Sequence, residues 1–459
     1  MPADKKKTFS FTLLFSSYMF LQLTVLRFCN NAGDASLPVN VQEKVYYVLQ
    51  IFFIAGAAAF VFLSRILADT SWKKTFIIAV LAVLAAAAGF LLAGTHSDLY
   101  LAAAFIAALC LGAICTAVYE KMARAAEAGE RVGIVMGFSC AFSIALQYAF
   151  QLAGKSKVIL GILMAAAFVL LFAGLFRSHS MAGAAAAEKN SEMPLNRRLL
   201  FISLITVALL LFCIYYNEYI HHLQIRSEYT EYNAYSWPRL MLVPCYLLFG
   251  FLGDYKNGKY HPIAALSVGL LALLTPVLAG NGAVNFSMCL YYCALAAAVS
   301  YYDLNFWRIA CRTKLPALWA VFGRVLDSVV VLIGAVLGLS LLAPAVVLMI
   351  YIFLLAAAIF LMALNGDLSF SAQTSAVDLT EAQPDPEKRI ALIAQSYGLT
   401  PKEAQVFREL VLTEDKQESI GQRLSIKLST VQYHTTSIYR KTGASTRSGL
   451  SEIYYNFKP

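Results

Sequence analysis

Apolar residues run along this chain in twelve blocks, each about one bilayer crossing long and separated from the next by a polar break. The blocks lie near 8–29, 46–68, 74–94, 99–121, 132–154, 158–176, 199–219, 236–253, 261–280, 285–307, 315–338 and 343–364. A helix needs about 20 apolar residues to cross the hydrocarbon core. Backbone polar groups in lipid must pair within their own segment, so each block is expected to be a helix. Beyond residue 366 the long blocks stop and short amphipathic stretches begin. The expected fold is all-α: a twelve-span transmembrane bundle over 1–366, with halves near 8–176 and 199–366, then a small soluble helical unit.

Composition sharpens that picture. Of 459 residues, 59% are hydrophobic and 14% charged, against about 25% charge in an ordinary soluble domain. A soluble globular chain, a disordered chain and a collagen-like chain are all excluded. Residues 367–459 hold 11 Lys/Arg and 11 Asp/Glu, so the tail is a water-soluble piece. The first apolar run, Thr8 to Phe28, is too long for a signal-peptide core and no small-residue cleavage site follows it, so it reads as a retained span. The nine cysteines form no C-x-x-C and no zinc spacing; they read as buried apolar thiols. No metal or cofactor is expected.

Charge also sets the orientation. Lys5 to Lys7 and every second loop together carry 18 Lys/Arg, whereas the opposite loops carry 5. Basic loops stay in the cytoplasm, so both termini are expected there, with the chain in the cytoplasmic (inner) membrane. The cytoplasmic loop 177–198 divides the spans six and six, which is the organisation of a pseudo-twofold transporter.

Two loops carry a matched pattern. After span 8 stands Gly250-Phe-Leu-Gly-Asp254-Tyr-Lys256-Asn257-Gly258-Lys259, and after span 2 stands Arg65-Ile-Leu-Ala-Asp69-Thr-Ser-Trp-Lys73-Lys74. This resembles the cytoplasmic gate loop of the major facilitator superfamily. The resemblance implies that Asp69 and Asp254 accept hydrogen bonds at a helix end or pair with a base. The first loop lacks both glycines of the pattern, and the second carries one extra residue before Gly258.

Residues 367–390 have no apolar period and hold Pro384, Pro386 and several acids, which reads as a flexible linker. A domain over 391–459 follows. Leu399-Thr400-Pro401-Lys-Glu403 opens a helix through a capping box, with Thr400 as N-cap and Glu403 at the third position. Val406, Phe407 and Leu410 follow at core spacing. Ile420, Leu424 and Ile426 precede a break, a long helix runs through 429–441, Gly443 stops it, and a last helix carries Leu450, Ile453 and Tyr454.

Fourteen residues at matching spacing (Leu399, Thr400, Glu403, Ile420, Leu424, Ile426, Thr430, Val431, His434, Ile438, Tyr439, Lys441, Gly443 and Arg447) make this stretch resemble the LuxR-type helix-turn-helix domain, a four-helix unit that binds double-stranded DNA. Residues 427–441 contain bases and no acid, which suits a helix beside phosphate. With Val431, Ile438 and Leu424 in the core, Gln432, Tyr433 and Thr436 fall on the opposite face, which enters the major groove in such motifs. The resemblance makes these three the base-reading residues. Lys427, Thr430, Arg440 and Lys441 would hold phosphate, and His434 either phosphate or the core. It makes Leu450, Ile453 and Tyr454 a homodimer face. Gly421 is expected to soften the helix that holds it.

Ionisable residues inside spans are costly and mark functional positions. Arg27, Arg239, Arg324 and Asp327 qualify, with Arg324 and Asp327 spaced to pair with each other. In the superfamily spans 1, 4, 7 and 10 line the cavity, which adds Tyr216, Asn217, Glu218 and Tyr292. Arginine with tyrosines suits an aromatic or carboxylated small molecule. The expected function is a membrane-embedded one-component transcription regulator whose bundle senses such a molecule. Two alternatives stay open: a transporter whose tail regulates uptake, and a tail that binds protein instead of DNA. No nucleophile elbow, phosphate loop or paired soluble carboxylates suggest an enzyme.

Overall fold

A computed structural model of the chain describes residues 3–34, 39–66, 70–94, 98–152, 156–176, 197–219, 236–278, 284–313, 315–337, 342–364, 386–413, 415, 417–444 and 446–456. The chain divides into two compact units, Met1–Thr374 and Ser375–Pro459. All regular elements among the described residues are helical.

The first unit holds α1 (Ala3–Asp34), α2 (Val39–Ile66), α3 (Thr70–Ala93), α4 (Asp98–Glu127), α5 (Val132–Leu152) and α6 (Lys157–Phe176). It continues with α7 (Arg197–Tyr219), α8 (Leu242–Asp254), α9 (His261–Leu278), α10 (Val284–Ala310), α11 (Pro316–Leu337) and α12 (Pro344–Leu364). These twelve helices sit where the twelve apolar blocks lie. Among the described residues, nine helices are long and apolar enough to cross a membrane. The other three are α8, α9 and α12. Helix α8 has only 13 residues, because the 3₁₀ turn Trp237–Met241, with Pro238 in its first turn, occupies the start of its block. Helices α9 and α12 have 18 and 21 residues, with described apolar stretches His261–Thr275 and Ala345–Ala356.

Small residues let helices of the two halves touch backbone to backbone. At the crossing of α5 and α8, a Cβ on Gly133 would stand 2.4 Å from the Gly250 carbonyl oxygen, and one on Gly250 would stand 2.5 Å from that of Gly133. Aromatic rings fill the middle of the bundle. Trp307 on α10 meets Phe15 of α1 and Tyr119 of α4 edge to face, each pair with ring centroids 5.2 Å apart.

The second unit holds five helices: α13 (Pro386–Tyr397), α14 (Pro401–Leu412), α15 (Gln417–Leu424), α16 (Leu428–Thr442) and α17 (Arg447–Asn456). The four-helix expectation is therefore one helix short, and the expected linker ends too late: α13 begins at Pro386, inside 367–390. Residues 367–385 lie outside the described ones. Ile390 and Ile393 of α13 join the core of the unit with Phe407, Leu410, Ile420, Val431 and Ile438. The Arg389 guanidinium lies over the Tyr454 ring at 5.2 Å. The capping box is formed: the Glu403 amide donates to Thr400 Oγ1 and the Thr400 amide donates to Glu403 Oε2 at 2.7 Å.

Candidate functional site

In the second unit, α15, the turn Ser425-Ile426-Lys427 and α16 form the helix-turn-helix. Ser425 takes a left-handed conformation, φ 55°, and the Ile426 amide donates to the Gly421 carbonyl at 2.9 Å. Gly421 is buried, and a Cβ there would lie 2.9 Å from the Ile426 carbonyl oxygen. A glycine there admits the close approach of the turn. Gly443 ends α16 in the left-handed region, φ 75°.

Helix α16 buries Val431, Thr435 and Ile438. On its far side Gln432, Tyr433, Thr436 and Arg440 are exposed, with Tyr433 72% accessible. The Thr436 hydroxyl donates to the Gln432 carbonyl at 2.9 Å. Lys427 is exposed at the N-cap and Thr430 is half-buried. His434 is half-buried against the Tyr433 ring, 5.7 Å between centroids, and its Nδ1 has no hydrogen-bond partner among the described residues.

Two sequence expectations need correction here. Lys441 does not reach outward to phosphate. Its ammonium donates to Glu403 Oε2 at 2.7 Å and to the Gly398 carbonyl at 2.9 Å, which ties α16 to the start of α14. Leu450 and Tyr454 do not form an outer dimer face. They are 0% and 1% exposed, because the core of their own unit, including α13, covers them. Ile453 is half-buried.

Glu403 is the hub. The Ser437 hydroxyl, the Lys441 ammonium and the Thr400 amide all donate to its carboxylate, each at 2.7 Å. Burial alone would raise its pKa, but these donors outweigh it and hold the carboxyl down at about 2. Arg447 had only a consensus match to mark it. Its guanidinium gathers the carbonyls of Leu410, Thr413 and Asp415, which closes the loop before α15.

Residues 397–453 match the family described as bacterial regulatory proteins, luxR family. The tail is a LuxR-type helix-turn-helix domain. The matched stretch spans α14 to α17 and leaves most of α13 outside it. Two solved structures resemble the chain in outline. One is the human organic anion transporter MFSD10 (TETRAN), 14% identical over 79% of this chain and 100% of that one, TM-score 0.48. The other is an auto inhibited POT family peptide transporter, 14% identical over 80% of this chain and 100% of that one, TM-score 0.46. No curated protein matches the chain in sequence.

Within the bundle, Asp254 ends α8 and accepts from the amides of Gly133 and Ile134 at 2.9 and 2.8 Å, at the N-terminus of α5. Arg308 of α10 pairs with it at 3.3 Å. Both acceptor roles expected of this loop residue are present. The residue inserted before Gly258 is accommodated by three successive left-handed residues, Lys256, Asn257 and Gly258. Asp69 lies outside the described residues.

The expected ligand residues divide into several places. Arg239 Nη2 donates to Gln147 Oε1 of α5 at 3.3 Å. Arg27 and Glu218 are half-buried. The Tyr216 hydroxyl donates to the Leu342 carbonyl, and the Asn217 amide donates to the Cys213 carbonyl at 2.9 Å. Tyr292 packs on Tyr291, centroids 5.1 Å apart. Arg324 and Asp327 do not pair with each other. Arg324 Nη2 pairs with Asp303 of α10 at 3.0 Å, and its Nε donates to the Tyr119 hydroxyl at 2.7 Å. Tyr119 in turn donates to Asp303 Oδ2 at 2.8 Å. The Tyr302 hydroxyl donates to Asp327 at 3.4 Å. This ionic cluster joins α4 of the first half to α10 and α11 of the second. Asp303 was visible in the sequence, but nothing there connected it to Arg324.

Proposed function

We propose that the chain is a membrane-embedded one-component transcription regulator. The observation that carries this reading is the joining, in one chain, of a LuxR-type DNA-binding domain to a helical bundle with the length and polarity of membrane spans. No other described part of the chain is large enough to receive a signal. A small molecule that favours one arrangement of the two halves would shift the population of bundle states, and the tethered domains would change their access to DNA. The bundle sits in the cytoplasmic membrane with both termini inside the cell, as the basic loops require. Operator binding proceeds as a homodimer. The exposed face of α16 reads bases with Gln432, Tyr433 and Thr436, while Lys427 and Arg440 hold phosphate. The chain performs no catalysis of its own.

The test is duplex DNA binding by the full-length protein in lipid nanodiscs over a range of salt. Neutralising Lys427 or Arg440 is expected to reduce the slope of log affinity against log salt by about one each. An unchanged slope in both variants contradicts the assignment of α16 to DNA.

A further inference from the structure

The buried cluster between the halves sets two acids against one guanidinium and holds a carboxylate oxygen without a hydrogen-bond partner among the described residues. Asp303 and Asp327 are both within electrostatic range of one guanidinium, that of Arg324. Asp303 is 1% exposed, yet its Oδ1 accepts no hydrogen bond among the described residues. One helical turn further along α10, Trp307 is 0% exposed and sets its ring edge to face with Tyr119. A buried charge without full compensation is costly, and orphaned buried acceptors are rare in folded proteins. The surplus acid and the orphaned oxygen together mark a position that a further donor group completes.

The surroundings specify the group. The Arg324 guanidinium lies over the ring of Tyr302 at 5.5 Å and of Tyr119 at 6.0 Å, so the rings beside the acids already stand against a flat cation. We infer that the cluster of Asp303, Asp327, Tyr119, Tyr302 and Trp307 is a binding site for an organic cation: a protonated amine on a flat apolar body. The ammonium donates to Asp303 Oδ1 and balances Asp327, while the apolar body lies among the rings. This reverses the charge expected from sequence, where arginines pointed to a carboxylate. The inference rests on the bundle being the sensor. It also supplies a route for the signal, because Tyr119 belongs to the first half and Asp303 to the second, so an ammonium on Asp303 Oδ1 shares the carboxylate whose Oδ2 the Tyr119 hydroxyl holds.

The experiment uses the full chain in nanodiscs and two probes of like shape and opposite charge, 4-phenylbutylamine and 4-phenylbutyrate, followed by calorimetric titration. The amine is expected to bind saturably and the acid not at all. Asp327→Asn, which leaves the Arg324–Asp303 pair intact, is expected to weaken the amine by about tenfold or more. The double variant Asp303→Asn, Arg324→Gln, which removes both partners together, is expected to abolish binding while retaining the folded thermal transition. Preferential binding of the acid, binding of neither probe, or amine binding indifferent to Asp327→Asn overturns the inference. DNA binding with and without the amine is read separately. Amine binding that leaves DNA binding unchanged keeps the site and removes the sensor reading, whereas acid-dependent DNA binding keeps the sensor reading and removes this site.

Discussion

Arg324 of α11 forms its ion pair with Asp303 of α10 at 3.0 Å, and Asp327, one turn along its own helix, bonds instead to Tyr302. The pair is 12% and 0% exposed at its side chains, so removing one partner leaves a charge in a nearly dry interior. Asp303→Asn alone is expected to destabilise the bundle by about 3–5 kcal/mol, and the double change with Arg324→Gln by markedly less. Thermal unfolding of the detergent-purified protein, with both singles and the double, checks the cycle.

The Glu403 carboxyl predicts a pH dependence for the tail. Its folded pKa lies near 2, below the unfolded value of about 4.3. The unfolded state therefore binds the proton more readily, and the stabilisation is fully present above roughly pH 4.5 and is lost as pH falls toward 2. Hydrogen exchange of α14 and α16 in the full chain is expected to accelerate through that window. In Glu403→Gln the same helices should exchange faster at neutral pH, with a flatter acid response.

Gly421 is expected to tolerate no side chain. Gly421→Ala places a Cβ against the Ile426 carbonyl, and overpacking of this kind costs about 1–3 kcal/mol. Weaker exchange protection at the α15–α16 turn, with loss of DNA binding, is the expected result.

Leu450 offers a contrast between core and interface. Leu450→Ala is expected to destabilise the tail by about 2–5 kcal/mol, and to lower exchange protection of α14 and α17 equally at all protein concentrations. A loss that depends on concentration would return Leu450 to a dimer face.

Much of this was legible in the sequence, for definite reasons. Long apolar blocks leave a helix no alternative in lipid, and Thr400, Pro401 and Glu403 specify a helix start by local hydrogen bonds alone. The alternation of Val431 and Ile438 with Gln432 and Tyr433 follows from helical period. What escaped depended on packing between distant residues. The spacing of Arg324 and Asp327 suggested a local pair, while the true partner sits on another helix. Lys441 read as a phosphate ligand because a base near a helix end looks the same whether it faces solvent or Glu403. Helix α13 was hidden because Pro386 and Glu387 at its start continue a run of prolines and acids that resembles a linker, and Ile390 and Ile393 gain meaning only against the core they join.

Genome-wide DNA occupancy of the full-length protein in its native membrane tests the central claim most directly, with a Gln432→Glu, Thr436→Glu variant measured alongside it. Sharp peaks in the wild type that vanish in the variant are the predicted result, since both positions are exposed on α16 and the added acids repel phosphate without entering the core. Peaks that persist unchanged in the variant, or occupancy indistinguishable from background in the wild type with and without 4-phenylbutylamine, would contradict the account.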